Sequence, residues 1–137
     1  MAYENQVWTG SDGQLWLNNK DRIAKVQKFT FKQTNKFETV DDTDTFATGQ
    51  RLVGCELSGE ITAYKTSFAF NDIMEQYKNK QQPTLSLVGK ITNNDTGETK
   101  RISITDVTFT ELTLFEFEKG KVNQDVVPYN AGDYKYL

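Results

Sequence analysis

The stretch VGCELSGEITA, residues 53–63, decides the fold class of this sequence. Every odd position from Val53 to Ala63 is apolar or glycine, and every even position between them is polar or small. Successive side chains of a β-strand point to opposite faces of a sheet. The alternation therefore predicts a strand with one apolar face and one wet, partly acidic face. The fold class that follows is mainly β.

The same period of two recurs on both sides of that stretch and predicts further strands. The predicted strands are QLWLN at 14–18, two runs that make up 22–32, TLSLVGKI at 84–91, RISITDVTF at 101–109, and a pair formed by ELTLFEFE at 111–118 and KVNQDVVPY at 121–129. Within 22–32 the apolar face changes between Val26 and Phe29. Such a change indicates a bulge or a strong bend near Gln27.

One helix interrupts the strands, over Ser67–Gln81. Its apolar residues Phe70, Ile73, Met74 and Tyr77 are spaced i, i+3, i+4 and i+7, which is the spacing of a single apolar stripe. We expect this stripe to pack against the strands. The predicted fold is thus mainly β (α+β), an antiparallel β-barrel or sandwich with one flanking α-helix.

A polar insert separates two of the strands. Residues 40–54, VDDTDTFATGQRLVG, carry three aspartates and a lone Phe46, and they favour neither a helix nor a strand. A loop of this length is uncommon in a compact domain and usually belongs to a function or to disorder. We expect a long polar insert loop over about 38–54.

Length and composition restrict the remaining possibilities. A chain of 137 residues fits a single domain, 1–137. The 19 acidic residues exceed the 16 basic ones, so the net charge gives no basic footprint for gripping nucleic acid. No apolar run approaches the ~20 residues of a membrane span, and the N-terminus does not read as a signal peptide. We expect the chain in the cytoplasm, or assembled there into something larger.

Catalysis and metal binding find little support in the sequence. It has no histidine, the commonest general base and metal ligand. Cys55 lies in the apolar set of its strand and is expected to be a buried structural residue. The aspartates of the insert lack the glycine spacing of a calcium loop. Glu56 and Glu60 lie about 13 Å apart along their strand, too far for a glycosidase pair. We expect no enzyme, no metal and no cofactor.

The aromatic residues leave two interpretations open. Their alternation favours a place in the core for Phe29, Phe31, Phe109, Phe115 and Phe117. Trp8 or Trp16 would be the platform of a monomeric β-barrel module that binds a small ligand or a carbohydrate. The other interpretation is a structural, self-assembling protein without catalysis.

A series of motifs runs in order along nearly the whole chain. They are a Gly-x-Leu-x-Leu strand at 13–17, TGQRLVG at 48–54, TAYKTSF at 62–68, the helix FNDIMEQYKN at 70–79, and VVPYNAGDYKYL at 126–137. In order and spacing the sequence resembles the tail tube proteins of contractile phage tails and related bacteriocins, of the kind found in PBSX-like prophages.

The resemblance implies a structural subunit that closes into homohexameric rings. The rings stack into the inner tube of a contractile tail, which serves as a conduit for DNA or as a puncturing tube. The implied partners are other copies of the chain, the sheath protein, the baseplate or tail initiator, and the tape measure protein. DNA would pass through the lumen without specific binding, and no membrane anchoring is implied. The particle is a virion tail or a phage-tail-like particle, assembled in the host bacterial cytoplasm.

In such a tube the inner wall is a continuous sheet of strands from every subunit, and a long loop bridges successive rings. Ring closure would remove the open edges of a sheet. The residues assigned to ring stacking are Asp41, Asp42, Asp44, Phe46 (the candidate anchor in an adjacent subunit) and Arg51. The residues assigned to the lumen are Glu56, Ser58, Glu60 and Thr62. A flexible N-terminal arm over about 1–10 and a C-terminal tail over about 128–137 complete the expectation.

Overall fold

The computed structural model describes residues 8, 13–18, 21–23, 26–41, 48–66, 68–93 and 95–137. Within these ranges the chain forms nine strands and one helix. The strands are β1 (Gly13–Leu17), β2 (Asp21–Arg22), β3 (Val26–Val40), β4 (Gly49–Tyr64), β5 (Leu87–Asn93), β6 (Glu98–Thr105), β7 (Thr108–Phe109), β8 (Gln124–Ala131) and β9 (Asp133–Tyr136), and the helix α1 (Ala69–Lys78) lies between β4 and β5. The prediction of a mainly β fold with one helix is confirmed.

The strands form two antiparallel sheets. The five-stranded sheet has the order β2-β1-β5-β6-β9, and the four-stranded sheet has the order β3-β4-β8-β7. Both contribute to one hydrophobic core, which also receives the helix. Of the two predicted forms, the structure is therefore the sandwich, and among the described residues neither sheet closes into a barrel.

Strand β4 shows why the deciding stretch folds as its pattern predicts. Leu57, Ile61 and Ala63 are buried on the core side, whereas Glu56 and Glu60 on the other side are exposed. Burying the apolar side chains removes their surface from water at about 25 cal/mol per Å². A register shift of one residue would turn that apolar set outward, so the core fixes the pairing.

Tyr129 of β8 joins the four-stranded sheet to the core. It is 1% exposed, and its hydroxyl donates a hydrogen bond to the Thr30 carbonyl oxygen over 2.8 Å. Its ring is nearly parallel to those of Phe29 and Phe31, at 6.1 and 6.3 Å between centroids. Burial raises the pKa of Tyr129 above its ordinary value. The segment 128–137, predicted as a C-terminal tail, instead belongs to β8 and β9 and supplies this core residue.

The helix is shorter than predicted and spans Ala69–Lys78. Phe70 and Ile73 are buried, and Met74 and Tyr77 pack against the core from its margin. Phe70 meets Phe109 of β7 edge-on, with ring centroids 5.6 Å apart. The chain leaves the helix at Asn79. Lys80 has a φ of 62° in the left-handed region, which does not continue a right-handed helix. Ser67 lies outside the described residues.

The predicted insert loop over 38–54 is wrong for most of its length. Residues 38–40 end β3 and residues 49–54 begin β4, so the two strands form a hairpin whose last pair is Val40 with Gly49. The pairing shifts by one residue between Lys36 and Phe37. Cross-strand backbone hydrogen bonds hold these residues although the core covers none of their side chains. The bulge predicted near Gln27 is confirmed by a second register shift, between Val26 and Lys28.

Candidate interaction surfaces

The end of the β3–β4 hairpin projects beyond the sandwich. Tyr134 of the five-stranded sheet donates a hydrogen bond from its hydroxyl to Gln33 over 2.7 Å. Farther along β3 every side chain is exposed. We call residues 34–41 and 48–56 the distal hairpin. Cys55 lies in it and is exposed, so the prediction of a buried cysteine is wrong: the core that would cover its face ends before it.

Three apolar side chains lie together on the distal hairpin. Phe37 pairs with Leu52 across the strands, and Val53 is the extra residue at the register shift. Cross-strand partners share one face of a sheet. Phe37, Leu52 and Val53 are 51%, 58% and 53% exposed, respectively. A bulge bends its strand and re-aims side chains, and this one presents an apolar patch to solvent.

Two of the residues assigned to ring stacking are described, and both lie in the distal hairpin. Asp41 follows the last residue of β3 and is exposed. Arg51 is exposed in β4, opposite Glu38. The predictions for Asp42, Asp44 and Phe46 lie outside the described residues, as does most of the predicted N-terminal arm.

The side of the four-stranded sheet that faces away from the core carries the residues assigned to the lumen. We call it the wet face. Glu56, Ser58, Glu60 and Thr62 lie on it, because they alternate with the buried residues of β4. Glu56 and Glu60 are exposed, and Ser58 and Thr62 are half-buried. The structure therefore brings all four together in one row.

Three lysines on β3 share this wet face. Lys32 pairs with Ser58 and Lys28 pairs with Thr62, while the Lys36 ammonium lies 2.8 Å from a carboxylate oxygen of Glu56. The residues predicted for this face all belong to β4 and include no lysine. The sequence does indicate that these lysines share one face, because KFTFKQTNK at 28–36 alternates in the same way as β4. Three lysines beside two glutamates make this part of the face mixed in charge.

The Lys36 ammonium holds the pKa of the Glu56 carboxyl below its ordinary value, chiefly through their hydrogen bond. We expect Lys36→Met to move the pKa of Glu56 back toward that value in an NMR titration. Lys28→Met, farther along the same face, is the matched control and should leave it in place. A depressed carboxyl pKa stabilises the folded state above the ordinary pKa, and this contribution is lost as the pH falls through the folded value. An unmoved midpoint in Lys36→Met would contradict the assignment.

The two edges of the four-stranded sheet differ. On one edge lies β3, whose 15 residues pair only with β4 among the described strands. On the other lies β7, whose two residues pair with β8. A long edge strand presents unpaired backbone groups and is a template for pairing with another chain. The sheet is therefore open on both sides.

An irregular segment, residues 110–123, follows the short edge strand; we call it the aromatic loop. The sequence predicted a strand over 111–118, but no strand forms there. Phe115 and Phe117 are each 79% exposed and contact each other edge-on at 6.0 Å, so their predicted place in the core is wrong. Leu114 and Val122 are exposed as well. Within 111–118 there are three glutamates and no basic residue.

A buried polar network holds the base of the aromatic loop. The Lys65 ammonium lies 3.2 Å from Asp125 and donates a hydrogen bond to the Asn71 side-chain oxygen over 2.9 Å. The Asn71 amide in turn donates to the Leu114 carbonyl oxygen over 2.8 Å. The Lys65 and Asp125 side chains are 14% and 7% exposed. Buried groups paired in this way define one arrangement, so the loop is anchored although its aromatic rings are in solvent.

A cleft of about 400 Å³ opens between the start of β3 and the five-stranded sheet. Its apolar lining includes Val26, Phe29, Ile91, Ile102 and Tyr136. Four cationic residues also line it, namely Lys28, Lys90, Lys100 and Arg101, and no acidic residue does. Neither Trp8 nor Trp16 is among the lining residues, so the ligand-binding alternative has no tryptophan platform here.

The described residues contain no cluster of histidine, cysteine, aspartate or glutamate side chains suited to a metal ion. None of the described helices has the length and apolar character needed to cross a membrane.

A family model described as "Phage tail tube protein" matches residues 2–137. Among curated proteins, no significant sequence relative was found. The fold is similar to that of chains in three solved assemblies. The anti-feeding prophage cap matches with a TM-score of 0.78 and 9% identity, over 100% of this chain and 93% of the other. The sheath-tube complex of the extracellular contractile injection system PVC gives 0.76 and 9%, over 100% and 98%. The SPP1 tail tube gives 0.67 and 14%, over 95% and 78%. At these identities the likeness concerns the fold.

Proposed function

The chain belongs to the phage tail tube protein family, and from this premise we propose that it works as a hexameric ring that stacks into a hollow tube. The observation that carries the proposal is the four-stranded sheet, which is open at β3 on one side and at β7 on the other. Two different edges joined head to tail generate a closed ring when the rotation between copies closes. A ring leaves no free edge on the inner sheet.

The wet face would line the lumen. One face of the four-stranded sheet covers the core, so only the wet face is free to surround a channel. DNA carries about one negative charge per 1.7 Å of its axis and would be held by a strongly basic wall. On β3 and β4, Lys28, Lys32 and Lys36 face Glu56 and Glu60, and opposite charges that lie well within a Debye length of ~8 Å offset each other. Such a wall suits DNA that passes without specific binding.

The distal hairpin would join one ring to the next. It lies beyond the body of the subunit and carries an apolar patch, formed by Phe37, Leu52 and Val53, without a partner among the described residues. Exposed apolar patches rimmed by polar residues are typical of protein interfaces. Asp41, Asp42, Asp44 and Phe46, which lie between β3 and β4 in the sequence, would complete the contact together with Arg51. The outer partners are the sheath protein and the baseplate or initiator, and the tape measure protein would occupy the lumen during assembly.

Imaging and cysteine labelling test this proposal. The chain, seeded with short tubes or produced with its sheath partner, should give hollow tubes with sixfold rings by electron microscopy. Ser58→Cys in a Cys55→Ser background should react with a bulky polymer-linked maleimide as a free subunit and be protected in tubes. Lys135→Cys, on the outer side of the five-stranded sheet, should react in both states. A chain that stays monomeric under seeding, or a Ser58→Cys side chain equally reactive in tubes, would refute the proposal.

A further inference from the structure

The aromatic loop exposes apolar side chains to solvent in the isolated subunit. Two phenylalanines that are 79% exposed lie on an acidic segment with the alternating pattern ELTLFEFE, yet no strand forms there. Pairing requires a neighbouring strand, and the segment follows β7 at the open edge of the four-stranded sheet. The loop therefore has the sequence of a strand and the exposure of an interface.

The cleft offers complementary chemistry at the other edge of the same sheet. It lies at the start of β3, the opposite edge strand, and has an apolar lining. Lys100 lies across from Ile91 on β6, on the side of the five-stranded sheet that faces the core, so its charge belongs to the cleft itself. Lys100 forms no ion pair with a carboxylate among the described residues. Lys28 on the wet face, and Lys90 and Arg101 on the outer side of the five-stranded sheet, border the cleft from outside.

We propose that residues 111–118 of one copy dock in the cleft beside the β3 edge of the next copy. Phe115 and Phe117 lie two residues apart, so in an extended segment both rings point to the same side and enter the apolar lining together. Glu111 lies on the same side of the segment as the two rings and meets Lys100, whereas Glu116 and Glu118 point to the opposite side. This contact makes the association of subunits head to tail, as ring closure requires. The inference rests on the proposed function and names the segment and the receptor that close the ring.

Substitution of the two rings tests the docking. Phe115→Ala with Phe117→Ala should leave the subunit folded, since both side chains are exposed, and should raise the concentration needed for assembly by about tenfold or more. Val122→Ala is the matched control, because this side chain is 74% exposed in the same loop but outside 111–118. Sedimentation velocity measures the assembly. Assembly of the double variant at the wild-type concentration would overturn the inference and leave the proposed function intact.

Charge reversal tests the partner within the cleft. Lys100→Glu should block assembly at moderate salt, whereas Lys135→Glu on the outer side of the same sheet should not. Glu111→Lys should also block it, and combining this change with Lys100→Glu should restore it. Failure of the combined variant to assemble better than either parent would count against the pairing.

Cross-linking distinguishes the occupants of the cleft. In a Cys55→Ser background, Phe117→Cys with Lys100→Cys should give a ladder of covalent oligomers up to the hexamer after oxidation. Phe46→Cys with Lys100→Cys, which would link the segment between β3 and β4 to the cleft, should not. A ladder from the second pair alone would overturn the inference while supporting tube assembly. A wild-type chain that never assembles would overturn both the inference and the proposed function.

Discussion

Gly59→Ala is expected to destabilise the folded subunit by about 3 kcal/mol or more. A Cβ at this position would overlap the carbonyl oxygen of Thr30 on the neighbouring strand. It would also lie 2.6 Å from the Tyr129 hydroxyl oxygen, which itself binds the Thr30 carbonyl. Overpacking a core costs about 1–3 kcal/mol, occasionally more, when flexible side chains move aside. Here the obstacle includes backbone, so the loss is expected at or above ~3 kcal/mol, a large part of a typical domain's 5–15 kcal/mol.

Gly54→Ala is the matched control for this substitution. Gly54 lies in the same strand, and a Cβ added there meets nothing within 4 Å. A glycine in a strand interior stabilises the strand less than an alanine does, so Gly54→Ala should be neutral or slightly stabilising. Urea unfolding followed by circular dichroism measures both variants. If the two variants had the same midpoint, the close packing of Tyr129 over Gly59 would be disproved.

The sequence predicts a strand well where the body of the protein covers one of its faces. In β4 the side chains of Leu57, Ile61 and Ala63 are buried, and their alternation is visible without a structure. The distal hairpin has no such mark. Both of its faces are exposed, so apolar and polar residues need not alternate. Backbone pairing holds it instead, and backbone pairing leaves little trace in residue types. The predicted loop over 38–54 failed for this reason.

Alternation also reveals which residues share a face, but not whether anything covers that face. Cys55 has the parity of Leu57 and was expected in the core, yet it lies beyond the end of the sandwich. The core placement predicted for Phe115 and Phe117 failed in the same way, because their segment has no neighbouring strand in the isolated subunit. The lysines of the wet face could have been predicted from the alternation of β3. They were missed because only the pairing of β3 with β4 brings them beside Glu56.

Replacing residues 41–48 by Asn-Gly is expected to abolish tubes and to preserve the fold. Val40 and Gly49 are the last pair of the hairpin, so a two-residue turn can connect β3 to β4 at this register. The residues next to the turn are exposed and make no core contact, and the free energy of unfolding should change by less than about 0.5 kcal/mol. Circular dichroism measures the fold, and electron microscopy with sedimentation velocity measures the assembly.

A length-preserving variant separates the reach of the turn from its side chains. In it, 42–47 becomes alternating glycine and serine, so that Asp42, Asp44 and Phe46 are lost while the span remains. If the turn only had to reach the next ring, this variant would form tubes and the Asn-Gly variant would not. We expect both to stop at single rings. A glycine–serine segment loses conformational entropy on docking and has no side-chain contacts to offset that cost, and the Asn-Gly variant lacks both the span and the side chains. Full-length tubes from the Asn-Gly variant would show that the side chains of 41–48 are dispensable, and that the rings stack through the retained strands of the distal hairpin or through the body of the subunit.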